Sequence, residues 1–185
     1  MYHLAEDRTQ SHNLATEHPD RLEELKNAGE QPKGYFREIA EGLAHIADGL
    51  QHAHERGIIH RDVKPSNILI DDRGRPCLGD FGLAKVLDRE GELTRTGQLL
   101  GTREFMAPEQ ALDARMADNR SDIYGLGCTL YFLLTGNAPY VRDTIMMRLL
   151  AHREEEVPSL RVVRPEVPPE LDTIYQQMMA KKQAD

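Results

Sequence analysis

Asp62, Lys64, Asn67 and Asp80 put two carboxylates, an ammonium and an amide into one short stretch of this chain. Divalent magnesium takes oxygen ligands from one or two carboxylates together with substrate phosphates, and a lysine beside it supplies a compact positive charge. That set of side chains therefore suits phosphate chemistry on a magnesium ion. Taken singly, each has a plainer use: the two aspartates as structural hydrogen-bonders, Lys64 as a solvated charge, Asn67 as a turn former. Only their arrangement favours the chemical reading. Two apolar runs, Ile58-Ile59 and Ile68-Leu69-Ile70, bracket the polar knot. Asp71-Asp72-Arg73-Gly74-Arg75-Pro76 reads as a turn, and Cys77-Leu78 as a returning strand that ends at Asp80. The predicted hairpin projects the four polar residues from loops on a rigid base.

His60-Arg61-Asp62-Val63-Lys64-Pro65-Ser66-Asn67, with Asp80-Phe81-Gly82 beyond the hairpin, resembles the catalytic loop and metal-binding segment of eukaryotic-type protein kinases. Lysine two places after the aspartate, then proline, is the serine/threonine-kinase form of that loop. The resemblance implies ATP and Mg2+ as cofactors and a protein serine or threonine as acceptor. Asp62 would orient the acceptor hydroxyl and take its proton, and Lys64 would sit beside the transferred phosphate. Asn67 and Asp80 would hold magnesium, and Leu69 would belong to the nucleotide site. His60, Arg61 and Phe81 are implied as structural support.

Gly101-Thr102-Arg103-Glu104-Phe105-Met106-Ala107-Pro108-Glu109 resembles the A-P-E end of an activation segment. There Thr102 matches the threonine that ties the substrate-docking loop to Asp62 and Lys64. Thr94 and Thr96 lie between D-F-G and A-P-E in a T-x-T spacing like that of bacterial serine/threonine kinases. A phosphate on either adds about two negative charges, with Arg61 as the cation to receive it; the alternative is two exposed loop threonines. Ser121 to Gly136 is apolar almost all round and predicts a buried helix, with Ser121 as N-cap and Gly136 as terminator. It resembles the central helix of the kinase large lobe, whose first-turn aspartate, here Asp122, braces the catalytic loop.

The elements that position these groups are mostly helical. Phe36, Ile39, Ala40, Leu43, Ile46, Ala47, Leu50 and Ala53 make one apolar stripe, with Gly57 placed as a C-terminal cap. Helices are expected at about 35–56, 121–135, 143–153 and 170–181, with two short strand pairs around the active loops and loop from Val157 to Pro169. The fold class is thus mainly α within the α+β kinase family: a C-lobe-like helical bundle around a buried central helix, with short β-hairpins at the active site. Residues 1–34 read as loop or a loosely attached helix, and residues 35–185 as a partial kinase catalytic domain.

The chain has 185 residues, 23 Lys plus Arg against 31 Asp plus Glu, and a formal net charge of -8. An acidic balance argues against a non-specific nucleic-acid or anionic-membrane binder. The longest apolar stretch, about 13 residues from Ile123, is too short to span a bilayer. With a polar Met1 to Asp20 and no signal pattern, the expectation is a cytoplasmic protein. Cys77 and Cys128 both lie in apolar patterns and read as buried free thiols. His52 and His54 stand two apart and so face different sides of a helix, which fits packing or solvated histidines better than a zinc site.

No G-x-G-x-x-G-x-V loop and no V-A-I-K lysine occur in these residues, and only 59 positions precede His60. The kinase resemblance therefore covers about residues 35–182, the large lobe alone. A missing small lobe or a partner kinase joins the protein substrate as an expected partner. The arginine that family members pair with the A-P-E glutamate is expected beyond residue 185, which leaves Glu109 without that partner. Two functions follow as expectations: the catalytic lobe of a serine/threonine kinase, or an impaired kinase fragment that acts as a docking module.

Overall fold

A computed structural model of the chain describes residues 12–13, 34–80 and 102–181. In chain order the elements are β1 (His12–Asn13), α1 (Tyr35–His54), β2 (Ile68–Ile70), β3 (Pro76–Leu78), α2 (Pro108–Leu112), α3 (Asn119–Thr135), α4 (Ile145–Glu154), α5 (Leu160–Val163) and α6 (Pro169–Met178). Short 3-10 turns at Pro65–Asn67, Thr102–Phe105 and Ala114–Met116 link them. The architecture is mostly helical, as the sequence implies.

Helix α3 is the axis of the core. Tyr124, Leu126, Cys128, Leu130, Tyr131 and Leu134 are all buried along it, so every side of the helix meets protein. Helices α1, α5 and α6 pack on it, together with the 3-10 turn at Thr102–Phe105. Leu43, Ile46, Leu50 and Ala53 of α1 are buried at the i, i+3, i+4 spacing of one helical face. Each leucine or isoleucine so buried is worth about 1.5–3 kcal/mol relative to exposure. Two glycines let neighbours come close to α3. A Cβ on Gly125 would stand 2.9 Å from the Val63 carbonyl oxygen, and one on Gly127 would stand 3.1 Å from both Met178 Cβ and Met179 Sδ. The first brings the Val63 loop against the central helix; the second does the same for the end of α6.

The expected hairpin is present: β2 and β3 pair antiparallel, with Ile68 opposite Leu78, Leu69 opposite Cys77 and Ile70 opposite Pro76. Its turn is closed by Asp71, whose carboxylate accepts from the backbone N–H of Arg73 and Arg75 and pairs with the Arg75 guanidinium. Those bonds hold the Asp71 carboxyl below its ordinary range. The second strand pair takes a different form from the one expected. β1, from the N-terminal segment, adds to the free edge of β2, so the described strands form one three-stranded sheet in the order β1-β2-β3.

Three local readings are corrected. Helix α3 starts two residues before Ser121, capped by Asp118, whose side chain accepts from the Arg120 N–H. The stretch expected as loop from Val157 contains α5, capped by Ser159, and Leu160 in it is buried. Cys128 is buried, but Cys77 is exposed. In a strand as short as β3 alternate side chains face opposite ways, and Cys77 falls on the outer face while Leu78 packs inward. No helix among the described residues is long and apolar enough to cross a membrane.

Candidate active site

The 3-10 turn Pro65–Asn67 bends the chain between Asp62 and β2, and this bend gathers the polar groups. Lys64 Nζ donates to Asp62 Oδ2 at 2.7 Å. Asn67 Nδ2 donates to the Asp62 backbone oxygen at 2.8 Å and to its Oδ2 at 3.2 Å. Three of the four chemistry-bearing side chains thus converge on one carboxylate that is still 32% exposed. Asn67, buried, spends its Nδ2 on Asp62, which leaves Oδ1 as the atom able to serve as an oxygen ligand.

Asp80 is exposed at the end of the hairpin with φ +58, in the left-handed region where a non-glycine residue is uncommon. Its backbone neighbour ties it to the loop. Gly79 N–H donates to the Asn67 carbonyl at 2.8 Å, and His60 Nε2 donates to the Gly79 carbonyl at 2.8 Å. Because a carbonyl only accepts, the His60 proton sits on Nε2. Nδ1 is then free to accept the Asp62 N–H at 3.3 Å. One buried histidine therefore fixes both the residue before Asp80 and the amide of Asp62. Leu69 is half-buried on β2, on the same sheet face as Cys77.

Behind the loop stands Asp122, in the first turn of α3 and 1% exposed. Its Oδ1 accepts the Arg61 N–H at 2.7 Å, and its Oδ2 accepts the His60 N–H at 2.9 Å and His54 Nε2 at 2.7 Å. Arg61 is held at φ +67, a strained conformation that costs on the order of 1–3 kcal/mol and needs such over-determination to persist. Sequence reading placed Asp122 here but missed His54. The i+2 spacing that separates His52 from His54 is itself the signal, since it turns His54 inward while His52 stays exposed.

The A-P-E segment packs against this frame. Glu109 has a partner after all: the Ser121 hydroxyl donates to its Oε1 at 2.5 Å. The residue expected to cap α3 thus satisfies the carboxylate expected to lack a partner. Phe105 stacks edge-on with Phe132 at 5.9 Å, and Glu104 pairs with Arg148 of α4 at 3.2 Å. Burial lowers the pKa of His152, one turn further along α4, to about 4, with the Lys181 charge acting in the same sense. Neutral His152 accepts the Tyr124 hydroxyl on Nδ1 at 2.9 Å, which fastens α4 to α3 beside the Thr102–Phe105 turn. Phe81, Thr94 and Thr96 lie outside the described residues, as does the side chain of Thr102.

The fold and this loop point to the protein kinase family. A family model for the protein kinase domain matches residues 2–185, and the chain belongs to that family. The match begins well before the stretch on which the motifs lie. Among its relatives, the DNA damage-responsive serine/threonine-protein kinase RqkA of Deinococcus radiodurans is 39% identical over 153 residues, which is 83% of this chain and 23% of that protein. The serine/threonine-protein kinase PknL of Mycobacterium tuberculosis is 40% identical over 143 residues, 77% of this chain and 35% of PknL. Mycolicibacterium smegmatis PknB is 40% identical over 147 residues, 78% of this chain and 23% of PknB. The chain therefore spans between about a quarter and a third of these relatives, each of which is a serine/threonine-protein kinase.

Proposed function

We propose that the chain carries the catalytic-loop face of a serine/threonine kinase site, which transfers the γ-phosphate of Mg-ATP to a protein hydroxyl. The observation that carries this reading is the convergence of Lys64 and Asn67 on the half-exposed carboxylate of Asp62. Asp62 orients the acceptor hydroxyl and takes its proton as the oxygen attacks phosphorus, a role worth about 10²–10⁴-fold in rate. Lys64, held to Asp62, places positive charge beside the phosphate in transfer. Asn67 Oδ1 and the exposed Asp80 carboxylate are oxygen donors of the kind a hard cation takes. Among the described residues no three His, Cys, Asp or Glu side chains form a metal cage. This fits magnesium, which draws its remaining ligands from phosphates and water and, when bound, neutralises charge on the phosphate oxygens. Leu69 belongs to the nucleotide side of the site, and Thr102 to the docking of the acceptor peptide. Thr94 and Thr96 are the acceptors within the chain itself, with Arg61 to receive the phosphate.

A second reading, a docking module without catalysis, is favoured by one observation. The 185-residue sequence contains no G-x-G-x-x-G-x-V motif and no V-A-I-K motif, and kinase chemistry requires a phosphate-anchoring lysine paired with its glutamate. The two readings part in one pair of measurements. The 185 residues alone should bind Mg-ATP weakly in calorimetry and transfer phosphate slowly or not at all. A longer chain that supplies the glycine-rich loop and its lysine should incorporate γ-phosphate, in a magnesium-dependent way, at Thr94 and Thr96. Tight, saturable ATP binding by the 185-residue chain would refute the first expectation. Absence of magnesium-dependent labelling on any serine or threonine in that longer chain would leave the docking reading in possession.

A further inference from the structure

The peptide unit joining Arg61 to Asp62 is gripped at both of its polar atoms. Its N–H, that of Asp62, donates to His60 Nδ1, and its carbonyl oxygen, that of Arg61, accepts from Gln110 Nε2 at 2.9 Å. Rotation of this plane changes φ of Asp62 and swings its carboxylate. His60 belongs to the same loop, but Gln110 comes from α2, 49 residues later. Gln110 also accepts the Ala107 N–H on Oε1 at 3.2 Å, the usual duty of a glutamine in the first turn of a helix. The two partners settle the amide orientation, since a carbonyl demands the NH2 and an N–H demands the oxygen. Helix capping uses only Oε1. The bond from Nε2 leaves the helix altogether, for the strained residue beside the candidate base.

We propose that Gln110 is a positioning residue for Asp62: it fixes the Arg61–Asp62 peptide plane and couples it to the segment that ends in Ala107-Pro108-Glu109. The role in transfer rests on the kinase reading above, whereas the geometric role does not. Displacement of a reacting group by about 1 Å costs on the order of 10²-fold, so a lost anchor here acts on the rate.

Two variants separate positioning from capping. Gln110→Glu keeps an oxygen for Ala107 N–H and suits the start of a helix, but sets a carboxylate against the Arg61 carbonyl. Gln110→Ala loses both bonds. Both should speed amide exchange at Asp62 in the full-length gene product by roughly tenfold. Both should also lower kcat about 10–100-fold with the KM for ATP unchanged, and Gln110→Glu should melt with the parent. Parent-like exchange and kcat in Gln110→Glu, with losses confined to Gln110→Ala, would reduce the residue to a cap and overturn the proposal. A parent that phosphorylates no serine or threonine defeats the kinase reading instead, and exchange at Asp62 then decides the positioning role alone.

Discussion

Asp62→Asn should slow phosphoryl transfer by about 10²–10⁴-fold while the fold and the nucleotide affinity stay close to the parent's. The substitution keeps size and shape. Its amide oxygen can still accept from Lys64, and the bond from Asn67 Nδ2 to the backbone oxygen of residue 62 is unaffected. What disappears is the ability to take a proton from the acceptor hydroxyl. Lys64, which is 17% exposed, keeps an oxygen acceptor in the amide, so its charge retains a hydrogen-bond partner. The effect therefore belongs in kcat, with little in the KM for ATP. Single-turnover transfer at saturating Mg-ATP in the full-length gene product measures it. A rate within about tenfold of the parent would remove Asp62 from the base role.

The largest stability effect is expected at Asp122. Asp122→Ala deletes the acceptor of two backbone N–H groups and of His54, all at 2.7–2.9 Å and next to a residue at φ +67. Each buried donor left without a partner costs about 1–3 kcal/mol, and the loss of a buried charged hub typically totals about 3–5 kcal/mol. For a domain of this size that corresponds to a melting temperature lowered by roughly 6–20 °C. Asp122→Asn, which retains one oxygen, should fall between parent and alanine variant. Thermal unfolding followed by circular dichroism tests the order, and an alanine variant that melts within about 2 °C of the parent would contradict it.

The Asp62–Asn67 loop was legible in the sequence because its information is local. Asp62, Lys64 and Asn67 sit within six residues, and a single 3-10 turn converts that spacing into contact. The central helix was legible because burial on all sides leaves an apolar run with a terminating glycine, Gly136, in the left-handed region. Contacts between segments distant in sequence were not. Ser121 looks like an N-cap from its own neighbourhood, and only the approach of Glu109 to the first turn of α3 shows that it donates to that carboxylate. Gln110 carries no spacing signal toward Arg61, 49 positions away, and the His52/His54 offset marks His54 as inward-facing without pointing to Asp122, 68 positions away. Cys77 was misplaced because a short strand between a turn and a glycine gives too few alternations to tell its inner face from its outer one. A two-residue strand such as β1 gives no pattern at all; its pairing with β2 exists only in three dimensions.

The central claim is that Asp62, Asn67 and Asp80 border one space that takes a metal-bound triphosphate. Manganese replaces magnesium in such sites and broadens the resonances of nearby nuclei, so titrating Mn2+ with a non-hydrolysable ATP analogue into isotopically labelled protein reads the claim directly. The account predicts that the amide signals of Asp62, Asn67 and Asp80 broaden together and first, only when nucleotide and metal are both present. Broadening that falls elsewhere, or that separates Asp80 from the other two, would contradict it.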